Sequence, residues 1–175
     1  MSKKSALYRP KIRIEPDVTD RLMEGAALFL LIVLWVLPAI YYNQLPDRIP
    51  THFDGSGNPD RWGGRNSLWA VPAIGLGVYV LFSVLSRYPH HFNYLTKITE
   101  ENAAYQYRLA IRMLRVVKIS VLLIMLYATW ATLQAAMTTN GKLPSIFLLL
   151  VIAMSIGPMV WYFWKSGQKP KILLL

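Results

Sequence analysis

The chain has 175 residues, 54% of them hydrophobic and 16% charged, with a mean hydropathy of +0.33 and no cysteine. Nineteen Lys and Arg against nine Asp and Glu leave a net charge of +10, a basic and apolar combination unlike that of an ordinary soluble globule. The lack of thiols excludes disulfide scaffolds, thiolate zinc sites, cysteine nucleophiles and iron–sulfur clusters, and an aromatic share of 13% excludes disorder as a global description.

Residues 1–20 are a basic, polar segment in which Pro10 and Pro16 bracket the alternating run Lys11-Ile12-Arg13-Ile14-Glu15. The run reads as a solvated cytosolic tail or, alternatively, as an extended piece lying along a membrane surface. Thr19 stands before Leu22 and Met23 as an expected N-cap for the first helix.

Four charge-free stretches follow, at 25–46, 66–86, 119–141 and 143–164, of 22, 21, 23 and 22 residues. A hydrocarbon core about 30 Å thick takes roughly 20 helical residues to cross. The expected fold is therefore an all-α integral membrane protein. Its four-helix transmembrane domain occupies 21–164, with spans at about 25–44, 66–86, 119–139 and 144–164. An outward loop fills 45–65, a cytosolic loop and helical stalk fill 87–118, and a cytosolic tail covers 165–175. Small residues at four-residue spacing (Ala73 and Gly77; Ala128, Thr132 and Ala136; Ala153 and Gly157) suit close helix contact in lipid, within one chain or in a homo-oligomer. No ionisable side chain lies inside a span, which argues against ion-coupled transport.

Basic residues give the orientation. Six lie in the N-terminal segment, three in the first connection, six in the second, one (Lys142) in the third and three beyond the last span. Alternate compartments thus receive fifteen and four, and the positive-inside rule puts both termini and the second connection in the cytosol. The charge is then a topology signal rather than a mark of nucleic-acid binding, and the expected location is a cytoplasmic membrane.

The outward loop, LPDRIPTHFDGSGNPDRWGGRN from residue 45, holds most of the unusual chemistry. Pro46 and Pro50 stiffen it, and residues 49–53 alternate as a short extended segment does. Residues 54–60 are dense in turn chemistry, with Gly57 free to take positive φ. Arg61 and Trp62 return the chain to the interface, where an indole is comfortable. A two-stranded flap over the mouth of the bundle satisfies all of this. His52, Asp54 and Asp60 offer an imidazole and two carboxylates, a weak divalent-metal set with no second His at helical spacing. The alternative has Asp54 capping the turn, Asp60 paired with Arg48 or Arg61, and His52 packed beneath Trp62. No cofactor is expected otherwise, and no nucleophile–base set or HExxH pattern points to an enzyme.

This loop is similar to the small domain of unknown function that opens the SdpI-type bacterial immunity and signalling membrane proteins. The matching positions are Leu45, Pro46, Ile49, Pro50, His52, Phe53, Gly57, Asp60, Arg61, Trp62 and Gly63. The resemblance covers roughly residues 25–90, and the remainder looks like the tail of short four-span relatives of unassigned function. It implies a non-catalytic protein that binds or senses an envelope peptide or protein through loop residues Pro46, Arg48, Pro50, His52, Asp54, Gly57, Asp60, Arg61 and Trp62.

After the second span, Thr99-Glu100-Glu101 resembles a capped helix start, and no Gly or Pro interrupts the chain from there to Gly141. One helix from about 99 to 137 is expected. Arg108, Arg112 and Arg115 share one face of its stalk, turned either to anionic headgroups or to a cytosolic protein. His90 and His91, being adjacent, are expected to point apart. Three function classes follow: an envelope-sensing or immunity-type protein, an accessory subunit of a membrane complex, and a membrane-embedded metalloenzyme.

Overall fold

The computed structural model describes residues 9–138, 141–144 and 146–168. Lys3, Lys4, Lys169 and Lys171, which enter the charge asymmetry, lie outside the described residues, as does most of the 165–175 tail. The order is α1 (Val18–Tyr41), β1 (Arg48–Phe53), β2 (Pro59–Gly64), α2 (Ala70–Leu85), α3 (Glu100–Met137) and α4 (Ile146–Ser166), with short 3₁₀ turns at Tyr42–Gln44, Arg65–Trp69 and Pro89–His91.

Among the described residues, three helical segments are long and apolar enough to cross a membrane: Val18–Gln44, Arg65–Leu85 and Ile146–Ser166. They correspond to the first, second and fourth expected spans. The third expected span lies within α3, which is built differently. At 38 residues it is about 57 Å long, and it packs against α1, α2, α4 and β1. It is the axis of the molecule, and its apolar half is spent largely on other helices.

Helix starts are set by local chemistry. Asp17, not Thr19, caps α1: its carboxylate accepts from Asp20 N at 3.0 Å while Asp20 accepts from Asp17 N at 3.1 Å. This reciprocal pair satisfies two amides that would otherwise be orphaned, which a lone Thr two residues later could not do. Thr99 caps α3 as expected, with Asn102 Oδ1 accepting from its N–H at 2.9 Å.

The core is a chain of small clusters along α3. Ala27, Leu31 and Leu34 of α1 meet Leu122. Leu45, Ile49 and Leu68 meet Leu133 beneath the hairpin. At the opposite end Ile98, Ala103 and Tyr107 gather Ile14 and Tyr94, and Leu109 and Ala110 receive Tyr162 of α4. The small-residue expectation is only partly met. Ala73, Gly77, Ala153 and Gly157 lie on exposed faces. The close approach is at Gly75, where a Cβ would stand 2.5 Å from Leu34 Cδ2.

Residues 9–17 are not a free tail. Tyr107 Oη donates to Pro10 O at 3.1 Å, and the Arg9 guanidinium donates to the carbonyls of His90 and Phe92. The segment is thereby strapped across the base of the stalk. His90 and His91 do not point apart: the 3₁₀ turn after Tyr88 sets their rings side by side, with centroids 4.2 Å apart.

Candidate functional site

The hairpin end is organised by the turn between β1 and β2. The strands pair antiparallel, with Ile49 opposite Gly63, Pro50 opposite Trp62 and His52 opposite Arg61. Asp54 closes the turn: its carboxylate accepts from Ser56 N at 2.9 Å and Asn58 N at 2.8 Å. These bonds, those from Asn58 foremost, hold the Asp54 carboxyl below its ordinary pKa because they favour the charged form. Gly57 takes φ +81°, which only glycine adopts without strain, and its carbonyl accepts from Leu143 N at 2.8 Å. The hairpin is thus bonded to the connection between α3 and α4.

His52 Nδ1 donates to Asp60 Oδ1 at 2.5 Å, with both side chains substantially exposed (53% and 40%). Of the three metal candidates, the structure joins His52 and Asp60 and commits Asp54 to its own turn. No cluster of three His, Cys, Asp or Glu suited to a metal occurs among the described residues. Asp60 pairs with His52 rather than with Arg48 or Arg61, because the bulged register after Pro50 brings the two onto one face. Trp62 stands opposite Pro50, not over His52. Pro50 is buried, while Pro46, Arg48, Arg61 and Trp62 are exposed on the flap.

Between the turn and the start of α4 lies a cleft of about 330 Å³, walled by His52, Phe53, Asp54, Leu143, Phe147 and Leu148. Phe147 also walls a second, almost wholly apolar groove of about 510 Å³ between α1, α3 and α4, with Leu37, Tyr127, Trp130 and Met154. Cleft and groove therefore meet at one ring. A tilted aromatic group, Trp35, Tyr42 and Trp69, flanks the same end, with centroids 5.8–6.0 Å apart.

The stalk end holds an ion-pair ladder that the basic spacing alone did not reveal. The N-cap Asp17 and Asp20 and Glu24 of α1 face Arg108, Arg112, Arg115 and Lys118 of α3. Asp20, 1% exposed, accepts from Arg112 Nε at 3.0 Å and forms an ion pair with Arg115 Nη1 at 2.7 Å. Glu24 meets Lys118 Nζ at 2.6 Å, and Ser83 Oγ of α2 stands 3.0 Å from the same ammonium. The Tyr79 ring lies 4.4 Å from it. The arginine face expected to meet headgroups or a partner is thus turned onto α1, Arg115 being only 15% exposed. A readable signal existed: acids at i, i+3 and i+7 opposite bases at i, i+4, i+7 and i+10.

Residues 29–76 match the family model described as a domain of unknown function (DUF1648). That range takes in most of α1, the whole hairpin and the first part of α2. No solved structure matches the chain. A protein of Archaeoglobus fulgidus, described as an uncharacterized protein, is 30% identical over 153 residues, covering 78% of this chain and 81% of that one. The chain therefore belongs to the same family as this archaeal protein, and its stretch similar to the domain of unknown function comprises the hairpin with the adjoining parts of α1 and α2.

Proposed function

We propose that the chain is a four-span, non-catalytic protein of the cytoplasmic membrane that binds an amphipathic envelope ligand, such as a peptide, at its outer hairpin. In this reading the charge-free half of α3 is the third of the four spans, both termini are cytosolic, and the hairpin faces outward. The asymmetry of basic residues supports that orientation. So do the aromatic residues at both ends of the bundle, Trp35 and Trp69 at one and Trp161 and Trp164 at the other. The likeness of the loop to SdpI-type immunity proteins supports a binding or sensing role over an enzymatic one.

One observation carries the reading: the Gly57–Leu143 hydrogen bond holds the turn against the start of α4, so the cleft is formed before any ligand arrives. A preformed site avoids the ordering cost that a floppy loop would incur. The cleft offers the His52–Asp60 pair as a polar anchor, and the groove beyond Phe147 accepts an apolar side chain or tail.

The test is extraction of the full chain from its native membrane in a mild detergent, followed by native mass spectrometry. Wild-type protein should retain an amphipathic species that is lost in His52→Ala and in Leu148→Trp, which fills the cleft. Identical spectra for all three proteins would overturn the reading.

A further inference from the structure

A cavity of about 730 Å³ opens at the stalk end, remote from the hairpin. Its walls come from the N-terminal strap, the first turns of α1, the end of α2 and the face of α3. Four arginines line it, Arg13, Arg21, Arg87 and Arg115, against two carboxylates, Asp20 and Glu24. Both carboxylates are already engaged: Asp20 by Arg112 and Arg115, and Glu24 by Lys118. Arg21 and Arg87 are exposed at its edge and make no side-chain ion pair or hydrogen bond among the described residues. Deeper in the wall, Arg115 Nε is buried without a hydrogen-bond partner, with Glu24 Oε2 3.8 Å away.

An unpartnered guanidinium N–H is costly when buried, and a net positive cavity with three guanidinium forks calls for a planar or tetrahedral oxyanion. Arginine is the side chain best matched to phosphate, which it meets through two parallel hydrogen bonds. The volume exceeds that of a bare phosphate and falls within the range of small-ligand sites. Ile12, Ile14, Pro16 and Ile111 supply an apolar wall beside the charges, so part of the ligand is uncharged. From this geometry we infer that the cavity is a binding site for a phosphate-bearing anion, held by Arg21, Arg87 and Arg115. The phosphate comes either from a phospholipid headgroup or from a soluble phosphate compound, and the site stands whether or not the hairpin binds a ligand.

The test uses delipidated full-length protein in an uncharged detergent, with melting temperature as the readout. One arm adds phosphatidylglycerol in mixed micelles, a second adds inorganic phosphate, and controls add galactosyl diacylglycerol or sodium chloride of equal ionic strength. Stabilisation by phosphatidylglycerol alone supports a headgroup site, and stabilisation by inorganic phosphate as well supports a soluble ligand. In Arg21→Gln/Arg87→Gln the half-saturating concentration should rise about tenfold or more, the loss expected for two charge-assisted contacts. Arg115→Lys, which keeps the charge beside Asp20 but removes Nε, should weaken binding while retaining wild-type circular dichroism. No stabilisation in either arm, or an unchanged response in the double variant, would overturn the site.

Discussion

Lys118 of α3 and Glu24 of α1 meet at 2.6 Å, and each is the last charged residue before a charge-free stretch begins. The pair therefore registers two long helices against each other at one level. The ammonium is 1% exposed and the carboxylate 39%. A buried ion pair contributes little net stability, because desolvation offsets the attraction, yet removing one partner strands the other. Lys118→Met should destabilise by about 3–5 kcal/mol, towards the lower end because Glu24 is partly exposed. Glu24→Gln with Lys118→Met should recover much of that loss. Unfolding of the single and double variants in detergent checks this, and additive effects would remove the registering role.

Gly57 is the hinge of the hairpin. Its φ of +81° and the 2.1 Å that would separate a Cβ from Leu143 O make any side chain there both strained and obstructive. Gly57→Val should lower the melting temperature by an amount equivalent to about 1–3 kcal/mol and break the bond to Leu143. Gly55→Ala, where a Cβ meets nothing within 4 Å, should have little effect. Equal behaviour of the two variants would indicate that the hairpin is not fastened to the connection between α3 and α4.

Asp54 gives the turn a pH dependence. Its folded pKa lies below the ordinary value through the Asn58 and Ser56 bonds. Its contribution is therefore complete above the unfolded pKa of about 3.9 and is lost as pH falls through the lower folded value. Amide resonances of Ser56 and Asn58 should hold steady from neutral pH to about 5 and move only below about 4. In Asp54→Asn the acid transition should disappear.

The His52–Asp60 pair should act as an exposed hydrogen-bonded pair rather than as half of a metal site. His52→Ala is expected to cost no more than about 1 kcal/mol, with or without zinc in the buffer. A zinc-dependent rise in melting temperature, abolished by both His52→Ala and Asp60→Ala, would make the pair a metal ligand after all.

Orientation is tested by single cysteines in a chain that has none of its own. Ser56 is exposed on the turn, whereas Ser166 is buried, so Gln168 is the better reporter for the other end. Ser56→Cys should react with an impermeant maleimide on intact cells, and Gln168→Cys only after lysis. The reverse pattern would invert the topology.

The sequence by itself determined the helices and the hairpin. Charge-free lengths near 20 residues leave a helix as the economical way to satisfy backbone groups in an apolar setting. The turn chemistry of residues 54–60 admits little but a hairpin, down to positive φ at Gly57. Both signals are local, carried by neighbours along the chain. The tertiary structure decided what each charged side chain faces. The arginine stripe on α3 reads as a surface for headgroups or for a cytosolic partner until α1 is placed against it with Asp17, Asp20 and Glu24 in register. The cleft at Phe147 and the arginine-lined cavity at the stalk end depend on segments far apart in sequence. Their chemistry arises only when the packing of α3 against the other helices brings those segments together.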